Sequence, residues 1–295
     1  MASLTEIDYY LLSKPDLSDN TRKTYKKAYD NLSDLMQTNM INEESQTDIY
    51  NKITTIDNPN TQQMYINIAL IIKHFHNNKY EYLEKKRELI RTDIKNKRNV
   101  RKKEKKDELP DYEDLQRFTR EMLSENNYRS YIINYILTEY NTRNKDLDMI
   151  IVDNKKSYRE LKKKKDNVLF VSGSGKNYFT RSNYKTYNTY GQLNFEFNNI
   201  KFNRAVKAYM NQQREKGVET IFLLSKEDGS RIGEDSLSHY ITKYTLNNMT
   251  ESDYNKISVS RIKSMEQYNI LKQISERRAT SVPTLVDEYN INIYT

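Results

Sequence analysis

Thr142-Arg143-Asn144-Lys145-Asp146-Leu147 is the stretch at which this chain changes character. Upstream, the runs over 111–124 and 127–140 repeat apolar residues at three and four positions, the spacing of a helix with one buried face. Downstream, 147–152 and 168–171 are short β-type runs that read as strands. The stretch therefore predicts a helix end that carries an arginine, with Leu147, Ile150 and Ile151 anchoring the turn in a core. Such an arginine is either an ordinary surface cation or part of an oxyanion grip. Its planar fork stays charged at any relevant pH and bonds oxyanions through two N–H groups at once.

Further downstream, 177–185 and 192–197 alternate apolar and polar residues around Tyr187-Asn188-Thr189-Tyr190-Gly191, the pattern of a β-hairpin. Helical spacing returns over 201–215, 234–247 and 258–274, followed by a tail at 281–289. Lys162-Lys163-Lys164-Lys165 reads as a solvated turn that could also meet phosphates. The first hundred residues are helical throughout. Leu17-Ser18-Asp19-Asn20-Thr21 supplies N-cap residues ahead of Tyr25, Ala28, Tyr29, Leu32 and Leu35. Asn58-Pro59-Asn60-Thr61 does the same for Met64, Tyr65, Ile68, Ala69, Ile71 and Ile72, with a shorter helix over 41–56 between the two. Residues 79–97 read as a fourth helix and 98–106 as a basic linker, after which Leu109-Pro110-Asp111 opens a new segment. The expected fold is mainly α, with a helical bundle and its linker over 1–106 and an α-rich domain with a small hairpin sheet over 107–295.

The chain has 49 Lys+Arg against 41 Asp+Glu, a net charge of +8. That surplus suits a polyanionic partner, because Lys and Arg displace counterions condensed on phosphate. An anionic membrane surface attracts the same charge, but no stretch approaches the ~20 apolar residues that span a bilayer. No signal-peptide pattern appears near the N-terminus. The expectation is no membrane association and an intracellular, reducing compartment. Cysteine is absent, which excludes disulfides and thiolate metal sites. Histidine occurs three times, as His74, His76 and His239. With 25 tyrosines and only 36% hydrophobic residues, tyrosine is expected to fill part of the core, each buried hydroxyl finding a partner.

Two arginines far apart in sequence, a hairpin lysine and a late tyrosine together resemble the tyrosine recombinase (integrase) family of viral and mobile-element type. In that family the first arginine follows a helix in a T-x-R-x-x-E/D-L phrase, and 142–147 fits a version of it with Arg143 as the arginine. The family's H-x-x-R phrase corresponds to Ser258-Val259-Ser260-Arg261, so Arg261 is the second arginine and Ser258 replaces histidine. Nineteen residues on, Arg278-Ala279-Thr280-Ser281 stands where the family has L-G-H-S, with Thr280 in place of a second histidine. Tyr289 follows at the family's spacing of nine; Tyr294 misses it. The family's leaving-group acid is a hairpin lysine. Lys185, within Asn183-Tyr184-Lys185-Thr186-Tyr187, is preferred to Lys176, whose loop Ser172-Gly173-Ser174-Gly175 lacks the spacing of a nucleotide-binding P-loop. Leu17 to Tyr25 resembles the opening of the family's SAM-like core-binding domain.

The resemblance implies a core-binding bundle and a catalytic domain that close around double-stranded DNA. Tyr289 would attack a phosphodiester to leave a 3′-phosphotyrosyl link, Arg143 and Arg261 would hold its oxygens, and Lys185 would protonate the departing 5′-oxygen. No cofactor and no metal are implied. Recombinases of this type act as tetramers on two DNA sites, whereas a type IB topoisomerase shares the chemistry as a monomer. A viral origin would place the protein in host cytoplasm or nucleus. Both histidine positions are replaced, and loss of one acid–base group costs ~10²–10⁴ in rate. The expectation is a slow recombinase; the alternative is a DNA-binding protein of the same fold without activity.

Overall fold

A computed structural model of the chain describes residues 4–106, 108–173, 176–184, 186–261 and 268–289. The chain divides into two compact units, Met1–Glu104 and Lys105–Thr295.

The first unit is helical: α1 Glu6–Leu12, α2 Asp19–Met36, α3 Gln46–Ile53, α4 Pro59–Phe75 and α5 Glu81–Lys106. Local chemistry sets the helix starts. Ser18 accepts from the Thr21 N–H at 3.2 Å to cap α2, and Asn58 caps α4 with Pro59 in its first turn. Arg22 then ties α2 to the end of α1 by donating to the Leu11 carbonyl at 2.8 Å. Ile7, Leu32, Ile49, Ile53, Ile66, Ile72 and Leu83 form the buried centre. The basic stretch 98–106 is helical, the last part of α5, and the boundary between the two units falls within it. Lys, Arg and Glu are strong helix formers, and Asp93 supports the preceding turn through an ion pair with Lys97 at 2.8 Å.

The second unit opens with α6 Tyr112–Ser124 and α7 Tyr128–Tyr140, followed by a 3-10 turn at Asn144–Leu147. Next come β1 Ile150–Val152, α8 Lys155–Lys163, β2 Val168–Phe170, β3 Asn177–Arg181, α9 Tyr187–Tyr190 and β4 Leu193–Phe197. The chain finishes with α10 Ile200–Glu215, α11 Leu237–Thr242, α12 Glu251–Ser260, α13 Tyr268–Arg278 and α14 Val282–Tyr289. The described chain is thus mainly α with one small sheet, as the periodicities predict. Strand order is β1-β2-β3-β4, with β1 parallel to β2 and the other pairs antiparallel. The expected hairpin is the β3–β4 pair, in which Asn177 faces Phe197 and Arg181 faces Leu193.

Three features depart from the periodicity, the first being that the helix expected over 234–247 is α11 alone, between 3-10 turns at Glu234–Ser236 and Leu246–Asn248. Residues 155–163 form the crossover helix α8 that a parallel strand pair requires, so the lysine run expected as a turn at 162–165 begins inside a helix. Of the segment expected as one helix over 258–274, residues 258–260 end α12, which starts at Glu251, and 268–274 lie in α13, which starts at Tyr268; 262–267 lie outside the described residues. The start of α12 follows from a capping box: the Thr250 hydroxyl and N–H both donate to Asp253 Oδ2, at 2.8 and 3.1 Å. Leu137, Leu147, Leu169, Val206, Leu223 and Ile241 centre the main core of this unit, and Val259, Ile274 and Leu285 pack α12, α13 and α14 together.

Candidate functional site

Helix α7 stops at Asn141, whose left-handed backbone (φ 48°) suits an Asn at a helix end. The chain then turns at Thr142 and Arg143 into the 3-10 turn. The Arg143 N–H donates to Asp146 Oδ2 at 2.7 Å. Asp146 is fully buried and meets the equally buried guanidinium of Arg181, the last residue of β3, at 2.6 Å. Arg181 also donates to the Arg277 carbonyl, and its guanidinium lies 4.9 Å from the centre of the Tyr184 ring. Burial pushes the Asp146 carboxyl up, although Arg181 and Arg143 pull it back, and pushes the Arg181 guanidinium down against the pull of Asp146. Desolvation therefore outweighs attraction in this pair, the usual balance for an ion pair taken fully out of water.

Arg278 ends α13 and is 2% exposed. One guanidinium nitrogen donates to the carbonyls of Asn141 and Thr142, both at 3.2 Å. The other donates to Glu251 Oε1 at 2.9 Å and to the Tyr289 hydroxyl at 2.8 Å. The guanidinium carbon lies 4.7 Å from the Tyr289 ring centre. Burial opposes this charge most strongly, yet Glu251 and Tyr289 together outweigh it and hold Arg278 above the usual arginine value. Ala279 then takes a left-handed turn (φ 51°), and its carbonyl accepts from the Thr186 hydroxyl at 3.0 Å. Glu251, the first residue of α12, also accepts from the Asn144 N–H at 2.9 Å. The ends of α7 and α13, the start of α12 and the β3–β4 connection thus meet in one place.

Arg143, Arg181 and Arg278 gather there around two carboxylates, Asp146 and Glu251, which leaves a local excess of one positive charge. Arg143 Nη1, Arg181 Nε and Arg278 Nε are buried without a hydrogen-bond partner among the described residues. A buried donor left in that state costs about 1–3 kcal/mol. Unpaired donors and surplus charge together make an environment that an oxyanion would complete.

The structure brings Arg143 and Tyr289 to this cluster through Arg278. Arg261 is different: it is exposed at the end of α12, 4.0 Å from the Tyr112 ring centre, and no described contact joins it to Tyr289. Ser258 is buried in α12 with its hydroxyl unpartnered among the described residues. Thr280 is half-buried in the turn after α13, where its N–H donates to the Ser275 carbonyl at 3.1 Å. Lys176 is exposed and paired with Glu196 at 2.9 Å. Lys185 and Tyr294 lie outside the described residues. His74, His76 and His239 are exposed, the first two in the other unit.

Sequence reasoning passed over Arg181, Glu251 and Arg278. A signal for two of them existed. Arg181 shares the alternate positions of β3 with Asn177 and Phe179, so it falls on the buried face. Arg278 falls four residues after Ile274 and so shares a helical face with a core residue. A charge in phase with buried apolar positions needs partners, and that need points to a built site.

The start of α12, which presents Glu251, is itself sensitive to acid. Burial pushes the Asp253 carboxyl up, but hydrogen bonds from Thr250 and Lys256 outweigh it and hold its pKa at about 2, below the ordinary 3.8. The stabilisation is therefore present above the unfolded value and disappears as pH falls from about 4 towards 2. Asp253→Asn is expected to lower stability by about 2 kcal/mol at pH 7 in urea titrations, with the gap to the parent narrowing over that acid window.

Among the described residues, no group of three or more His, Cys, Asp or Glu side chains is placed to hold a metal, and no helix is long and apolar enough to cross a membrane. No family model matches the chain, and no curated protein matches it. Among solved structures the chain is similar to a XerA recombinase, with a TM-score of 0.40 and 11% identity over 97% of this chain and 92% of that one. So distant a likeness adds nothing to the geometry.

Proposed function

We propose that this chain is a DNA strand transferase of the tyrosine-recombinase type. The observation that carries the proposal is the Arg278–Tyr289 hydrogen bond inside a cluster with surplus positive charge. In the proposed reaction the Tyr289 oxygen bonds to phosphorus and loses its proton, while the bond from phosphorus to the 5′-oxygen breaks and that oxygen gains one. Attack by another strand's 5′-hydroxyl reverses the step and releases the phenol. Arg143 and Arg278 hold the non-bridging oxygens, a task that suits a bidentate fork. Arg278 takes the part first assigned to Arg261. The buried Asp146–Arg181 pair fixes the turn that carries Arg143. Lys185 remains the proposed acid for the 5′-oxygen. Ser258 and Thr280, at the family's histidine positions, supply no imidazole, so the reaction is proposed to be slow. A net charge of +8 supports a polyanionic substrate.

The test mixes protein with nicked suicide duplexes in chelator and looks for an SDS-resistant adduct. An adduct supports the proposal. Duplex binding without an adduct on any substrate leaves the binding-only alternative. Stoichiometry then separates the enzyme classes: four protomers on two duplexes for a recombinase, one on one for a topoisomerase. Arg278→Lys keeps the charge and loses the fork; it is expected to slow adduct formation by roughly 10²–10³. Arg261→Lys is expected to leave the rate near the parent's, and the reverse ranking would return the second-arginine role to Arg261.

A further inference from the structure

We infer that α8, held against the β3–β4 connection, presents a cationic track that seats the DNA backbone flanking the reacting phosphate. This rests on the DNA proposal above and adds a surface that neither the catalytic cluster nor the resemblance assigns.

Only a narrow side of α8 turns towards the protein. The Tyr158 ring stacks on Phe170 at 4.8 Å, lies nearly parallel to Tyr178 at 5.9 Å, and its hydroxyl is 2.9 Å from that of Thr180. Half-buried Leu161 completes the anchor. The sheet thus holds the helix in a fixed orientation while Lys155, Lys156, Arg159, Lys163, Lys164 and Lys165 stay exposed. Glu160 is the one acidic residue between 155 and 165. Among the described residues, none of these six cations takes part in an ion pair. The helix dipole favours Lys163 and its neighbours at the C-terminal end, but it disfavours Lys155 and Lys156 in the first turn. Folding alone gives those two no reason to be cationic. A polyanion does.

The track is continuous with the cluster. Lys165 Nζ lies 5.2 Å from the Tyr187 ring centre, Tyr187 lies 6.0 Å from Tyr184, and Tyr184 lies 4.9 Å from the Arg181 guanidinium. Gln192 ties the two elements by donating to Ser182 Oγ at 2.7 Å and to the Lys162 carbonyl at 3.4 Å. Nine helical residues extend about 14 Å. That length of duplex carries roughly eight phosphate charges, at one per ~1.7 Å of axis, so the exposed cations have enough partners.

Salt-dependent binding of the full chain to a fluorescent duplex tests the inference. The variant replaces Lys155, Lys156, Arg159 and Lys163 with Gln, which keeps helix propensity and leaves Tyr158 and Leu161 in place. A control variant replaces the exposed Lys201, Arg204, Lys207 and Arg214 of α10 with Gln and loses the same net charge. Each lost phosphate contact flattens the log–log salt dependence by about 0.9, so the α8 variant should lose roughly 3–4 units of slope against a small change in the control. An α8 variant with the parent's slope, or equal losses in both variants, overturns the track while leaving the DNA proposal intact. A parent that binds phosphatidylserine vesicles through α8 but no duplex overturns both.

Discussion

A Tyr289→Phe protein should bind duplex as the parent does and form no SDS-resistant adduct, a loss of at least ~10⁴-fold in strand cleavage. The substitution removes a single oxygen. Phenylalanine keeps the ring packed against the Val259, Ile274 and Leu285 cluster and retains its face on Arg278, while the fully buried Leu285 continues to hold α14. Arg278 keeps Glu251 and two carbonyls as partners, so the cluster stays assembled without the phenol oxygen. Binding and cleavage should therefore separate, which unfolding would not produce. Anisotropy and denaturing gels on one preparation check this. An adduct that forms at the parent's rate would place the nucleophile elsewhere. Tyr294→Phe, the natural comparison, should leave the adduct unchanged.

The second large effect is on stability. Asp146→Ala should cost about 3–5 kcal/mol in urea denaturation, because it leaves the fully buried Arg181 without its carboxylate. It also removes the acceptor of the Arg143 N–H and leaves Glu251 as the one carboxylate among three guanidiniums. Replacing both partners by apolar residues, Asp146→Leu with Arg181→Met, should recover most of the loss, since no uncompensated charge is then buried. The resulting double-mutant cycle should show strong coupling. A single-substitution cost below about 1 kcal/mol would mean that Arg181 reaches solvent once Asp146 is gone.

Much of the fold was legible because its causes are local. Ser18, Asn58 and Asp111 cap helices whose apolar residues already repeat at three and four, and β4 alternates as a half-buried strand does. Helix α8 was harder to see. Nine residues with no fully buried side chain carry no apolar stripe, and only the parallel pairing of β1 with β2 demands a crossover there. The start of α12 was missed for a different reason: its Thr250–Asp253 capping box precedes a run whose buried positions include Asp253, Asn255, Ser258 and Ser260, so hydrophobic spacing was a poor guide.

The amino-acid order alone determined that the chain turns at Thr142–Leu147, that Arg143 stands at that turn, and that a tyrosine closes the last described helix. Capping and helical hydrogen bonds reach only about four residues, so a few neighbours decide them. Which arginine meets that tyrosine was a tertiary decision. Spacing points to Arg261, but Val259, Ile274 and Leu285 pack three helices so that the end of α13, with Arg278, faces Tyr289. The left-handed turn at Ala279 and the Glu251 carboxylate from α12 then secure Arg278 there, while Arg261 is left stacked on Tyr112. That choice depends on how buried volume is shared among distant segments, which close packing settles and local spacing cannot encode.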